Sequence, residues 1–432
     1  MKHWPQFSYT LSKKDCIRIG IQLTVLLVLF VPGHMFNWAV EWIWLGVQVF
    51  IALFWFLVMH RGFVPTAGIR PSAWVVLFVL FTILGFLGTL YSSFGLGFQI
   101  TTADLPDLLR FLISIPLALF IGSAIDKSAS EGVSQAFKGV VLFNVLTSAL
   151  LLFGVPGASD AVMLIYADAK VTYDFGYIRI GIPFTNPNFA ALIFVLLLSY
   201  FLFFKQSLIY AVLCLVSLFN TGSRSGFLAA IPILLLAYIS LLRIALFNLK
   251  ILTIVIVLHA MVLYYISTVV ETAEGFSRLL ELTEALQNRE IGQVNTASIR
   301  MDLVANALKF IKRSPLFGVG PGRSYGLEIT DSQLVSWPLM YGIPGAIVIA
   351  GFFGFLFLNI ARRAEQRAHV MAALATFLSF FLMLATGDFM KNYRMFFVTV
   401  LVAHCMYLVV VPNVSTRMHR LKYFRTGSTS NY

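Results

Sequence analysis

Apolar residues along this chain gather in long runs, and most runs approach the roughly 20 residues that one α-helix needs to cross the hydrocarbon core of a bilayer. The pattern predicts about twelve transmembrane helices, at 17–32, 38–58, 72–92, 108–125, 137–155, 188–204, 206–220, 226–243, 250–270, 333–359, 367–386 and 394–411. The expected fold class is therefore an all-α polytopic membrane protein, with residues 1–432 as a single integral membrane domain. Two long polar stretches, 156–187 and 271–331, interrupt the apolar pattern. The second begins with a polar helical segment at 271–290. Further on, Ile299, Leu303, Val304, Ala307, Leu308 and Ile311 recur at helical spacing, with Ser298 as a cap and Pro315 and Gly318 as the stop. This is the signature of an amphipathic helix lying against a membrane face.

Composition agrees. With 59% hydrophobic and 12% charged residues and a mean hydropathy of +0.86, the chain is too apolar for a soluble core under a charged surface. The three cysteines, Cys16, Cys214 and Cys405, sit in or beside apolar runs. They read as small packing residues, and redox chemistry is not indicated. Lys13, Lys14 and Arg18 precede the first apolar run, and no small-residue cleavage site follows, which predicts a retained first helix.

Charge gives the orientation. The Lys/Arg rule places 18 of the 31 basic residues on one side when both termini are cytoplasmic, among them Lys127 and Lys138 in an inner loop between the fourth and fifth spans. The other basic residues fall outside or at outer helix ends. A solvated outer loop accounts for Arg278, Arg289, Lys309 and Lys312 without any ligand. Arg179, Arg224 and Arg394 differ, because each abuts a helix end at membrane depth. A charge there costs on the order of 1 to 3 kcal/mol unless paired or wet, so an anionic ligand is the sharper reading.

Local motifs sharpen it further. In GYIRIGIPFTNPNFAAL, Pro183 and Pro187 restrict the backbone and Asn186 or Asn188 can cap the next helix, whose positive dipole end faces outward. The small-residue turn NTGSRSG at 220–226 sets Arg224 at another helix N-terminus, and a guanidinium fork grips phosphate oxygens bidentately. GVGPGR lacks the Gly-Lys-Ser/Thr of a nucleotide-binding loop, which leaves a plain turn or, less simply, a backbone nest.

The order SRSG, then ASIRMDLVANALKFIKRSPLFGVGPG, then DSQLVSWPLMYGIPG resembles the O-antigen ligase and polymerase superfamily (WaaL and Wzy), over roughly residues 176–360. The resemblance implies a GT-C-type fold with a long extracytoplasmic helical loop, 271–331, between helices 9 and 10, carrying part of the active site. It implies an undecaprenyl-diphosphate-linked glycan as donor and acceptor, a bilayer as surroundings and a chain-length regulator as a further partner. Nucleic acid has no place in it. Arg224 and Arg300 are implied as diphosphate ligands; Arg179, Asn188, Arg323, Arg394 and Asp388 are expected to contact diphosphate or glycan.

One departure matters. Ligases of the family carry a His-Asn pair eleven residues before the glycine that kinks the following helix, and counting back from Gly342 gives Asp331-Ser332 instead. No histidine lies within 271–331. A carboxylate in that place looks more like the polymerase branch, with Asp331 as a general base or, equally, a helix cap. The expected reaction is polymerisation of lipid-linked repeat units, without metal or cofactor, at the periplasmic face of the bacterial inner membrane. O-antigen ligation to lipid A core and lipid-glycan transport are the alternatives. Transport is disfavoured because polarity gathers at the outer face rather than in broken helices at the midplane.

Overall fold

A buried backbone in lipid has no water to bond, so each apolar run must satisfy its own amides, and the helix is how it does so. The structure, a computed structural model, describes residues 13–30, 34–35, 38–39, 41–58, 68–100, 108, 116–122, 124–165, 180–184, 186–246, 295–321, 332–387, 389 and 393–411. These are helical apart from turns and a two-residue pairing of His34–Met35 with Trp38–Ala39, which falls where the apolar pattern began its second span. The helices are α1 (Lys13–Phe30), α2 (Glu41–Val58), α3 (Pro71–Leu96), α4 (Lys127–Leu152), α5 (Ala158–Ile165), α6 (Pro187–Ser199), α7 (Leu208–Thr221), α8 (Arg224–Leu246), α9 (Asn295–Arg313), α10 (Gln333–Arg363), α11 (Arg367–Thr386) and α12 (Tyr393–Val410).

Among the described residues, five helices are long and apolar enough to cross a membrane: Ser72–Leu96, Lys127–Leu152, Pro187–Phe204, Gln333–Arg363 and Arg367–Thr386. Leu208–Thr221, Ser225–Ser240 and Arg394–Val410 are shorter apolar helices. The expected span at 250–270 and the polar segment at 271–290 lie outside the described residues, and the span at 108–125 is helical at 116–122. The chain is a multi-pass membrane protein.

One expected loop is absent. Lys127 and Lys138 do not lie between two spans, because α4 starts ten residues before the expected 137 and contains both. The cause is Asp126, whose carboxylate accepts the Ala129 N–H at 2.7 Å and caps the helix there. α9 likewise begins at Asn295, so Ser298 lies inside the helix rather than capping it.

α6 forms the axis of the bundle. Its span is 78% buried, against 33–44% for the other four long spans, and it packs on α7, α8, α11 and α12. It ends in a π-helical turn at Tyr200–Phe204, closed by the Lys205 N–H to the Tyr200 carbonyl. α3, α10 and α12 meet through Trp74, Phe352 and Phe396, with Trp74 edge-on to Phe352 at 4.7 Å between centroids.

The bundle has two chemically distinct ends. At one, the N-termini of α6, α8 and α10 meet the C-termini of α7 and α11, as the Gln333 N–H bonds the Gly387 carbonyl and Phe189 packs on Phe389. At the other lie Lys205 paired with Glu131, His369 stacked on Phe204, and the Arg362–Arg363–Arg367 turn between α10 and α11.

Candidate functional site

Two helix starts are tied together at the first of these ends. Pro187 opens α6, where its missing N–H costs nothing, and Asn186 is the cap, its side-chain oxygen accepting the Asn188 N–H at 2.8 Å. The two-way reading of the asparagines is resolved: Asn186 caps, and Asn188 is released for other contacts. Asn188 Oδ1 accepts a hydrogen bond from Ser223 Oγ at 2.9 Å. Ser223 Oγ in turn accepts the Gly226 N–H at 3.2 Å, which makes Ser223 the cap of α8, and lies 3.1 Å from Ser225 Oγ. Since the Ser223 proton is committed to Asn188, Ser225 is the donor in the serine pair. Every hydrogen-bonding site of Ser223, 1% exposed, is thereby used. Gly222, in the left-handed region at φ 56°, turns the chain from α7 into α8. The result fixes two positive helix ends side by side, with Arg224 as the first residue of α8.

A second local structure is built around a break in α10. Gly342 has φ 71° and ψ 172°, a conformation open essentially to glycine, and a Cβ there would meet the Leu316 carbonyl. Pro344 has no N–H to offer the Met340 carbonyl, and the Ile343 N–H turns away to Pro315 O at 2.8 Å. Two carbonyls, Leu339 and Met340, are thus left without helical partners. The Val319 N–H fills the first at 2.7 Å and the Gly320 N–H the second at 3.1 Å. Gly318, at φ 70°, makes the approach possible, since a Cβ there would lie 2.6 Å from the Leu339 oxygen. Ser314 Oγ closes the turn by donating to Gly318 O at 2.7 Å. The PLFGVGPG block is therefore a wedge that completes the kinked helix. Its Val319 and Gly320 amides point at carbonyls, so they form no phosphate nest.

The wedge also seats α9. Ala307 and Ile311 are buried in a cluster with Val319 and Leu339, packed against Val335 and Leu96. Leu308, expected on the apolar face, is instead 45% exposed, and Phe310 takes the inward position. Tyr91 and Phe98 of the α3 end abut the Arg313 carbonyl and the Phe310 ring. Arg300 is helical and two turns ahead of Ala307, on the same element that the wedge holds against the start of α10.

The expected site residues divide clearly. Arg224 and Arg300 each lie in the first two turns of a helix, α8 and α9. Asn188 joins the α6–α8 junction. Arg394 is the second residue of α12, 3% exposed and with a partner among its neighbours. Asp331, Arg179, Arg323 and Asp388 lie outside the described residues. The residue at the α10 N-cap position is Ser332, not Asp331. No group of three or more His, Cys, Asp or Glu side chains gathers for a metal among the described residues. Sequence reasoning missed Ser223; its signal was a serine three positions before Gly226 at the head of an apolar run, a capping pattern.

Residues 209–350 match the family model described as O-antigen ligase (Wzy_C), which places this stretch in the O-antigen ligase and polymerase superfamily. The matched stretch contains the α8 start, the wedge and the Gly342 kink. No curated protein matches the chain.

Proposed function

With an O-antigen ligase-type stretch at 209–350 inside a membrane-spanning helical chain, we propose that the protein polymerises lipid-linked oligosaccharide repeat units. The growing glycan passes from undecaprenyl diphosphate to a sugar hydroxyl of the next lipid-linked unit. The hydroxyl oxygen forms the new bond to the anomeric carbon, the bond to the diphosphate oxygen breaks, and undecaprenyl diphosphate leaves with the electron pair. The hydroxyl proton passes to a base, for which Asp331 is the choice. The leaving group supplies the driving force, so neither nucleotide nor metal takes part.

The observation that carries this reading is the Ser223 junction, which holds the N-termini of α6 and α8 together beside Arg224. Preorganised positive dipoles and guanidinium groups act on the charge that develops as the diphosphate departs. Arg300 serves from α9, while Arg179, Asn188, Arg323, Arg394 and Asp388 contact diphosphate or glycan. The Asp331-Ser332 pair, in place of the ligase His-Asn, favours polymerisation. The description of the matched family favours the second reading, transfer to lipid A core. In this reading the basic end of the bundle and both termini are cytoplasmic, and the site faces the periplasm of the inner membrane, where a chain-length regulator can reach it.

Arg224→Ala and Arg300→Ala test the diphosphate site. Each is expected to cost about 2 to 4 kcal/mol of transition-state stabilisation, roughly 30- to 1000-fold in elongation rate. Lysine should restore only part, because it lacks the planar fork. Normal rates in both properly inserted alanine variants would move the site elsewhere.

A further inference from the structure

At the basic end of the bundle, cations from α1, α4 and the turn after α6 act on one carboxylate. Glu131 of α4 holds Lys205 Nζ at 2.7 Å through Oε2 and Gln135 Nε2 at 3.5 Å through Oε1. Lys138 and Arg18 act on the same carboxylate through space. Arg18 of α1 reaches α4 at Gly132, where a Cβ would lie 3.4 Å from the arginine Cγ. Lys138 Nζ stands 5.1 Å from the ring centroid of Tyr210, on α7. Among the described residues, Lys205, Lys138 and Arg18 act on Glu131, with Asp15 one turn before Arg18 on α1, and positive charge stays in excess where α1 and α7 flank α4.

The surface beside this cluster is apolar and ordered by helical register. Lys138 continues along α4 as Leu142, Leu146 and Leu150, at spacings of four, with exposures of 39%, 63% and 48%. On α7, Val212 and Val216 are also exposed, at 49% and 39%. A polar head of excess positive charge leads directly into a strip of exposed aliphatic side chains in a membrane-spanning segment.

We propose that this exposed face of α4, flanked by α1 and α7, binds one anionic phospholipid, its phosphate against Lys138 and Arg18 and an acyl chain along Leu142, Leu146 and Leu150. Charge complementarity selects the headgroup: a phosphodiester with no compensating ammonium offsets the excess, whereas a zwitterionic choline headgroup brings its own cation into the cluster. The aliphatic strip excludes a soluble anion as the sole occupant, since such an ion leaves that strip unused. Glu131 keeps Lys205 in place, so the headgroup meets a preorganised surface.

Native mass spectrometry of the full chain, exchanged from detergent into phosphatidylglycerol or phosphatidylcholine with the same acyl chains, tests this. Phosphatidylglycerol should be retained in preference. Lys138→Gln should weaken its retention roughly 5-fold and the Lys138→Gln, Arg18→Gln double variant roughly 25-fold. Arg367→Gln, on α11 at the same end, and Lys138→Arg should both retain it. Equal retention of the two lipids, undiminished retention by the double variant, or a loss in Lys138→Arg as large as in Lys138→Gln would overturn the proposal. The readout is lipid retention, so it stands or falls separately from glycan transfer.

Discussion

Ser223 shows how a residue with no distinctive chemistry can govern a site. Its hydroxyl spans 35 positions of sequence to Asn188 and closes the first turn of its own helix. The local half of that role is visible in the sequence as a capping pattern. The distant half is not, because a serine's partner 35 residues away is set by packing of α6 on α8. Arg394 is the converse case: an arginine expected at a helix end is the second residue of α12, buried and partnered. Asp331 carries the sharpest test at this scale. Ser332 stands at the N-cap position of α10, with no side-chain cap hydrogen bond, and the proposed base role of Asp331 is separated from a capping role by substitution. Asp331→Asn should then lose on the order of 100-fold in elongation rate while still binding the lipid-linked donor. A cap would respond differently, with asparagine near neutral and alanine costing about 1 kcal/mol of stability. Near-normal elongation by Asp331→Asn would leave Asp388 as the next base to examine.

Among the elements, α10 was legible in outline and α4 was not. The two glycines and the proline of YGIPG announce a kink, and the kink is at Gly342. What the sequence does not disclose is that the carbonyls so released are filled by amides from the wedge at 314–321. That pairing matters because an unbonded carbonyl away from water costs several kcal/mol. α4 departs from expectation for a physical reason: Lys127 and Lys138 suggest a loop, yet at 26 residues the helix is about 39 Å long and outruns a hydrocarbon core of about 30 Å. Its charged turns remain helical beyond the apolar layer. Gly342→Ala probes the break, since it imposes about 1 to 3 kcal/mol of backbone strain and a clash with the Leu316 carbonyl. The expected outcome is a lower thermal midpoint in detergent together with slower elongation, as α9 loses its seat on α10. Gly351→Ala, where a Cβ meets nothing within 4 Å, is the neutral control.

For the whole molecule, polar chemistry divides between the two ends of the bundle among the described residues. Helix starts bearing Asn188, Arg224 and Arg394 lie at one end of the bundle, while Lys127, Lys205, Arg362, Arg363 and Arg367 lie at the other. Hydropathy reads such an arrangement well because helix direction alternates with each crossing. It reads the count of crossings less well, since α7 at 14 residues is short for a span and its ends depend on packing. The central claim is that this end of the bundle joins lipid-linked repeat units to one another. The most direct measurement is electrophoresis of the glycan made by proteoliposomes that hold the purified chain and its lipid-linked repeat unit, with neither nucleotide nor lipid A core added. A ladder of repeat lengths, with undecaprenyl diphosphate released at each step, is expected. Unchanged single units that extend only when lipid A core is supplied, or that merely cross the bilayer, would contradict it.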